Sequence, residues 1–238
     1  MRELLLAGRR QVRELWLADS QDSLGLNTEI EALAGSRGVV VRYVGMARLR
    51  SAARTEAPQG VLAIAEPLVA ATLDELAANQ SGMSTRPFVI VLDGVTDPQN
   101  VGAVMRVAEC AGASGVVLPR HRSSHITPSA AKAAAGAVER LRIALVAGVP
   151  SALTSLSKLG FWSVGLAVDG GTDFFGLDLR DTALALVLGS EGKGLTRLAR
   201  QRCDVLARLP LAGAVGSLNV SAAAAVASYE VLRQRSHH

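Results

Sequence analysis

Side chains able to do chemistry gather in three glycine-rich stretches of this 238-residue chain. In "LDGVTDPQNVGAVMR" (92–106), Asp97 and Pro98 make a helix start, with an acceptor at the cap and proline in the first turn. Asn100 falls in that first turn. Arg106 stands four residues beyond Gly102 on the same helix face, so the glycine is expected to leave a groove beside the guanidinium. The second stretch, "LGSEGKGL" (188–195), holds Glu191 among glycines, where backbone amides can approach a ligand. Glu191 reads either as an acid complementing the amino end of the next helix or as a substrate contact, and its glycine setting favours the contact. The third, "RLPLAGAVGSLN" (208–219), leads into the last helix. Ser217 is the expected N-cap there, with Asn219 beside it and Ala222, Ala223, Ala224 and Ala225 behind. Side chains that small let something come close.

The three stretches contain no His and no Cys, and their few carboxylates are not set as a catalytic pair. That argues against metal hydrolysis, a Ser-His-Asp triad and glycosidase chemistry. Lys193 is followed by Gly194, so the phosphate-binding loop that closes on Gly-Lys-Ser/Thr is absent, as is a G-x-G-x-x-G fingerprint. What remains is a backbone-rich pocket for a neutral or cationic small molecule, beside Arg, Asn, Glu and Ser. Such a pocket suits group transfer from a bound donor to an acceptor positioned by an arginine. The residues alone do not name the donor.

The elements that must position these stretches are legible as apolar runs. "FVIVLD" (88–93), "GVVLP" (115–119), "WSVGLAV" (162–168), "ALALVLG" (183–189) and "VLARLPL" (205–211) suit strands buried on both faces of a parallel sheet. Helices are expected near 98–112, 128–139, 151–159, 194–202 and 219–235. The alternation predicts an open α/β sheet with its ligand beyond the strand carboxyl ends. Residues 1–76 read as a smaller α/β domain: strands at 12–18, 39–44 and 60–66, a helix over 27–37 capped by Asn27 or Thr28, and a short helix at "MARLRSA". The polar stretch 77–87 reads as the linker to a second domain over 88–236.

Hydrophobic residues make up 49% of the chain and aromatics 3%, so the core is aliphatic and alanine-rich. No apolar run approaches the ~20 residues of a membrane span, and no signal peptide is visible. Cys110 and Cys203 form neither a disulfide framework nor a metal spacing, which points to the cytoplasm. His237 and His238 read as the remnant of an expression tag. The formal charge is +4, and lysine stands only at Lys132, Lys158 and Lys193, so most of the 25 basic residues are arginine. Arg42, Arg48, Arg50 and Arg54 run together without an intervening acid, and Arg120 and Arg122 open a second basic group. Planar guanidinium groups suit phosphate, so these six are candidate RNA contacts.

The three stretches, in this order and at these separations, resemble the motifs of the SpoU/TrmH (SPOUT) family of RNA ribose 2′-O-methyltransferases. "DPQNVGAVMR", "LGSEGKGL" and "LPLAGAVGSLNVSAA" match its first, second and third motifs, and the likeness spans roughly 88–235. The N-terminal half resembles the small RNA-binding domain, of a ribosomal-protein type, carried by the rRNA-modifying branch. "ELWLA" and "QGVLAIAEP" carry that likeness, although the domain's usual leading strand and helix are only partly present. The nearest group methylates a guanosine in the peptidyl-transferase centre of 23S rRNA. The resemblance implies S-adenosylmethionine as donor, a deep trefoil knot in the C-terminal domain, a homodimer and no metal. It places the cofactor against Gly189, Leu209 and Leu218, with Ala167, Ser190 and Pro210 adjoining. It makes Asn100, Arg106, Glu191, Ser217 and Asn219 the catalytic set. The family proposal makes the motif-one arginine the base; a guanidinium keeps its proton in water, so orienting the hydroxyl and stabilising the developing alkoxide is the role chemistry favours. Three other functions fit the same motifs: a tRNA ribose methyltransferase, an antibiotic-resistance rRNA methyltransferase, and a non-catalytic RNA-binding or assembly protein.

Overall fold

The computed structural model describes residues 1–19, 24–53, 58–78, 86–120 and 126–236, with the backbone alone at 24–27. Arg54, Arg122, most of the expected linker and His237 and His238 lie outside the described residues. The chain divides into two units, Met1–Val69 and Ala70–His238. The boundary precedes the expected one because the 73–77 helix belongs to the second unit: its Leu76 is fully buried against Val89, Val117 and Leu153.

The first unit is a three-stranded mixed sheet with helices. In chain order it comprises α1 (Arg2–Ala7), β1 (Val12–Ala18), α2 (Leu24–Ser36), β2 (Val40–Val44), α3 (Met46–Ala52) and β3 (Val61–Ala65). Strand β1 is central, parallel to β2 and antiparallel to β3. Its alternation sorts the core: Leu15 and Leu17 pack with Leu5, Ile30 and Ala34, while Trp16 and Ala18 pack with Val44 and Leu49. Helix α2 begins at Leu24, so Asn27 and Thr28 already sit within its first turns and neither caps it.

The second unit comprises α4 (Leu73–Ala77), β4 (Phe88–Asp93), α5 (Pro98–Cys110), β5 (Gly115–Pro119), α6 (Pro128–Ala133), β6 (Ile143–Val146), α7 (Val149–Lys158), β7 (Trp162–Leu166), β8 (Thr172–Asp173), β9 (Leu184–Gly189), α8 (Arg197–Arg202), β10 (Val205–Arg208) and α9 (Val220–Arg235). The seven strands form one sheet in the order β6-β5-β4-β9-β7-β10-β8, and every pairing is parallel. Val89, Val91, Val117, Ala185 and Val187 face a cluster that includes Val149, Leu153 and Leu156 of α7 and Ala199 of α8. The alternate residues of β4 and β9 are equally buried, and α9 packs on β9 and on α5. Burial on both faces is why these strands read as unbroken apolar runs. The chain runs outward from β4 through β5 to β6, then crosses back to β7; β9 later enters between β4 and β7, and β10 enters last between β7 and β8. Strand order therefore reverses at β4–β9, and the carboxyl ends there frame a crevice.

Some boundaries differ from the sequence reading. The helix expected over 128–139 stops at Ala133, because Ala135 (φ 49°) and Gly136 (φ 93°) both take left-handed conformations. The four-residue strand β6 follows where none was expected. Helix α8 starts at Arg197, after a Thr196 cap whose hydroxyl accepts from the Ala199 amide.

Candidate active site

Beyond the carboxyl ends of β7, β9 and β10 lies a cleft of about 620 Å³. Leu166–Asp169, Leu188–Leu195 and Leu209 line it from those strands, and Gly216–Leu218, Val220 and Ala223 close it from the start of α9. The 189–194 segment is a tight hairpin: the Ser190 amide donates to the Gly194 carbonyl (3.1 Å) and the Gly194 amide returns the bond (2.8 Å). Gly192 and Gly194 have positive φ, and a Cβ on Gly189 would collide with the backbone of Gly194 and Leu195. Behind the hairpin, the buried Asp93 at the end of β4 accepts from the Thr196 amide at 2.6 Å, tying the first motif strand to the exit of the second motif.

Three side chains from three motifs meet at the rim. The Asn100 amide donates to Glu191 Oε1 at 3.1 Å. The Asn219 Nδ2 donates to Asn100 Oδ1 at 3.0 Å and to Glu191 Oε1. The same Asn219 spends its oxygen on α9, accepting from the Ser221 amide (2.7 Å) and hydroxyl (2.6 Å). Asn219, not Ser217, is therefore the N-cap. Both residue types cap well; Asn219 prevails because its amide also has donors to place on Glu191 and Asn100. Ser217 lines the cleft instead.

Of the expected catalytic set, the structure thus gathers Asn100, Glu191, Ser217 and Asn219. Arg106 stands apart: it is exposed on α5, does not line the cleft, and has no hydrogen bond or ion pair to a described residue. The expected groove beside it is filled, because α6 packs directly on Gly102, where a Cβ would lie 2.6 Å from Ala133 Cβ and closer still to the Ala130 carbonyl. Of the expected cofactor residues, Ala167, Gly189, Ser190, Leu209 and Leu218 line the cleft and Pro210 does not. Among the described residues no group of three or more His, Cys, Asp or Glu is placed to hold a metal, and no helix is long and apolar enough to cross a membrane.

Two charged lining residues escaped the sequence reading. Arg200 Nη1 and Nη2 donate to Asp169 Oδ1 and Oδ2 at 2.9 and 2.8 Å, a bidentate pair on the cleft wall. The Arg200 hydrogen bond holds the Asp169 carboxyl below its ordinary range despite some desolvation. The one hint in the sequence is an acid followed by two glycines just after a buried strand.

The candidate RNA-contacting arginines are exposed at Arg42, Arg48, Arg50 and Arg120. In the first unit, Arg42 pairs with Glu14 at 3.0 Å and the Arg48 guanidinium lies 5.1 Å over the Trp16 ring. The acid absent from the 42–54 stretch is thus supplied by β1. The Trp16 indole donates to Glu14 at 2.9 Å and is the main cause of a lowered carboxyl pKa there, with the two arginines adding to it. Arg120 in the second unit donates to the Leu145 carbonyl at 3.3 Å.

An open parallel sheet with a cleft at its strand carboxyl ends, a glycine-backed wall and a carboxylate–amide cluster at the rim defines an α/β small-molecule-binding protein of the group-transfer type. The sequence narrows the class: the chain belongs to the SpoU rRNA Methylase family, whose profile matches residues 87–229. Residues 2–69 match the family of RNA 2′-O ribose methyltransferase substrate-binding domains. The chain is 40% identical over 228 residues to the 23S rRNA (guanosine-2′-O-)-methyltransferase RlmB of Ralstonia nicotianae, covering 95% of this chain and 90% of that one. It is 39% identical over 232 residues to the enzyme of the same name from Pseudomonas syringae, covering 95% and 90%. Among solved structures it resembles the SpoU methyltransferase AviRb from Streptomyces viridochromogenes in complex with AdoMet, with TM-score 0.80 and 26% identity over 98% of this chain and 87% of that one.

Proposed function

We propose that this protein transfers the methyl group of S-adenosylmethionine to the 2′-hydroxyl of a guanosine ribose in 23S rRNA, acting in the cytoplasm as a homodimer. The observation that carries the reading is the convergence of Asn100, Glu191 and Asn219 from three distant motifs on the rim of one cleft. Chain-long similarity to 23S rRNA guanosine methyltransferases at about 40% identity favours rRNA as substrate.

The residues of the cleft fit the donor. Its volume of about 620 Å³ lies within the ~300–1,000 Å³ range of small-molecule pockets. Leu166, Val168, Leu188, Leu209 and Leu211 offer apolar surface for an adenine, and Glu191 offers negative charge to a ligand carrying a sulfonium and an ammonium. Ala167, Gly189, Ser190, Leu209 and Leu218 would hold it, mainly through backbone groups. When bound, S-adenosylmethionine supplies an electrophilic methyl group on a positively charged sulfur.

Everything else falls to the chain. A ribose hydroxyl must approach in line, so positioning supplies much of the rate. Asn100 and Asn219 fix the Glu191 carboxylate, and Ser217 offers a hydroxyl at the cleft mouth. The Arg106 charge, free of any acid among the described residues, meets incoming RNA from solvent; its role is to orient the hydroxyl and stabilise the developing alkoxide. The exposed arginines of the first unit bind phosphate, with Arg48 already oriented by Trp16. The homodimer is supported by apolar side chains left bare around the third motif and α9, where Val215 is 76% exposed and Leu211, Leu218, Val226 and Tyr229 are also exposed. The trefoil knot expected of the family belongs to the same reading, supported by the late insertion of β9 between β4 and β7.

The test is transfer from labelled S-adenosylmethionine to unmodified 23S rRNA, ribosomal subunits and tRNA offered separately, followed by mapping of the 2′-O-methyl position. Label in a single 23S guanosine is expected, and label confined to tRNA rejects the reading. Arg106→Ala should abolish transfer while leaving cofactor affinity nearly unchanged.

A further inference from the structure

In the first unit, one face of the sheet is only half covered. Cross-strand register sets Trp16 between Arg42 and Leu62, and Glu14 between Val40 and Ile64. These six side chains therefore share the face opposite Leu15 and Leu17. Helix α3 covers the next row, where Ala18, Val44 and Leu49 are buried together and Trp16 and Leu62 pack at the margin. The Glu14 row lies beyond it: Val40 is 55% exposed and Ile64 39%. With strands ~4.8 Å apart and alternate residues ~6.8 Å apart, the two rows make a floor of roughly 10 by 7 Å, room for a nucleobase.

The polar groups on this floor are tied down. Glu14 accepts from the Trp16 indole on one oxygen (2.9 Å) and from Arg42 on the other (3.0 Å). Arg42 thereby has its charge offset, and Arg48 rests 5.1 Å over the indole ring instead of extending into solvent. A side chain kept for phosphate alone needs no such anchoring. Arg50, on the opposite flank of α3, shows the contrast: it is exposed and has no hydrogen bond or ion pair to a described residue. A guanidinium backed by an aromatic ring, beside exposed aliphatic side chains on a flat sheet, matches the face of a planar aromatic group. In RNA that face is open only where the base is unpaired. A protein partner is the poorer match, because covering the floor would take the Arg42–Glu14 pair out of water. A base stacked at the Arg48 side leaves that pair hydrated, with Arg50 free to meet the flanking phosphates.

We propose that the Trp16–Arg48 pair of the first unit binds an unpaired base of the RNA substrate, so that this unit selects single-stranded segments by stacking in addition to charge. The assignment rests on the RNA-substrate reading above.

The test uses the full chain with two strands of equal length, an oligouridine and an abasic ribose-phosphate strand. Both carry the same phosphate charge, and only the first has bases. Wild-type protein should bind the oligouridine roughly 10- to 100-fold more tightly, the range expected for stacking one base. Arg48→Lys keeps the charge and loses the plane. It should weaken the oligouridine about 3- to 10-fold and leave the abasic strand and its salt dependence unchanged. Trp16→Leu, which keeps an apolar side chain beside Leu62, should bring the oligouridine down to the affinity of the abasic strand. Thermal unfolding checks that variant, and Arg48→Lys, at an exposed position, keeps the test decisive should Trp16→Leu unfold. Oligouridine bound no more tightly than the abasic strand overturns the assignment. So does an Arg48→Lys protein that binds both strands as wild type does, or that weakens both alike, which would make Arg48 a plain phosphate contact. Methyl transfer to 23S rRNA is scored separately. Transfer that persists while the two strands bind alike leaves the function standing and sinks this assignment alone, and base-dependent binding without transfer does the reverse.

Discussion

Asn219→Asp separates the two tasks of a single side chain. The introduced carboxylate keeps an oxygen to accept the Ser221 amide, and aspartate caps helices as well as asparagine does, so α9 should keep its start. Both Nδ2 donations, to Asn100 and to Glu191, are lost, and a second negative charge faces the Glu191 carboxylate. At about 4 Å, two unit charges repel by ~1 kcal/mol in bulk water and ~4 kcal/mol at the effective dielectric of a protein surface. Glu191 and Asn219 are both exposed, so the lower half of that range applies, together with ~1 kcal/mol for the lost hydrogen bonds. The expected destabilisation is therefore about 2–3 kcal/mol at pH 8. Its pH dependence is diagnostic. Repulsion raises the introduced carboxyl's pKa in the folded protein above its unfolded value, so the repulsive cost is absent below the unfolded pKa, near 4. It grows as pH rises through the folded pKa. Urea unfolding of wild type, Asn219→Asp and Asn219→Ala between pH 4.5 and 8 measures this. The Asn219→Asp deficit should shrink toward the acid end, while the Asn219→Ala deficit, which is loss of the cap and of the bridging hydrogen bonds, should not follow that course. Parallel pH curves for the two variants would refute the bridging role of Asn219.

Gly189→Ala forces a methyl group into the Gly194–Leu195 backbone; it should cost ~1–3 kcal/mol of stability and abolish S-adenosylhomocysteine binding in calorimetry, and near-normal affinity would count against the hairpin as cofactor wall. Burial pushes the Cys203 thiol up to about 12, so at pH 8 it carries almost no thiolate; mass spectrometry after iodoacetamide should find exposed Cys110 modified and Cys203 spared until urea is added, and equal labelling in the folded protein would contradict the packing. Arg235 donates to the carbonyls of Arg86, Leu179 and Thr182 at 2.8, 3.2 and 2.7 Å, so Arg235→Ala should lower stability by ~2–4 kcal/mol in denaturant unfolding, and a loss within error would mean that solvent replaces those bonds.

The strands that frame the cleft were legible because burial on both faces writes itself as continuous apolar sequence, as "FVIVLD" shows at β4. Strand β6 was not, since four residues of "IALV" between loops carry too little pattern to mark a strand. The overlong helix at 128–139 has a different cause. "AAKAAAGAVE" is rich in helix formers, and the left-handed turn at Ala135 and Gly136 is imposed by packing of α6 on α5, which local propensity cannot register. The site divides in the same way. Asn100, Glu191, Ser217 and Asn219 could be singled out as polar groups on strand-end loops, but the choice of Asn219 over Ser217 as cap depends on partners 119 and 28 residues away. The Asp169–Arg200 pair spans 31 residues, and its one local trace is the pair of glycines after Asp169; nothing near Arg200 marks it.

Helix α9 explains why the rim cluster is coupled to the far side of the domain. Sixteen residues at ~1.5 Å each make a rod of about 24 Å. Asn219 at its amino end belongs to the site, and Arg235 and Gln234 at its carboxyl end bind backbone groups of Arg86, Leu177, Leu179 and Thr182. Between the ends, Ala224 and Ala227 are fully buried, so the helix lies close against its neighbours with no long side chain to absorb a displacement. A rod fixed at both ends and packed through alanines transmits axial movement. Enlarging Ala227 to Leu should therefore do more than destabilise by overpacking: by lifting α9 it should draw Asn219 away from Glu191 and weaken cofactor binding from a position that does not line the cleft. Calorimetry of Ala227→Leu beside Ala227→Gly separates the effects. Both are expected to lose stability, but only the larger side chain should lose affinity, and equal affinities would show that the amino end of α9 is held by its rim partners alone.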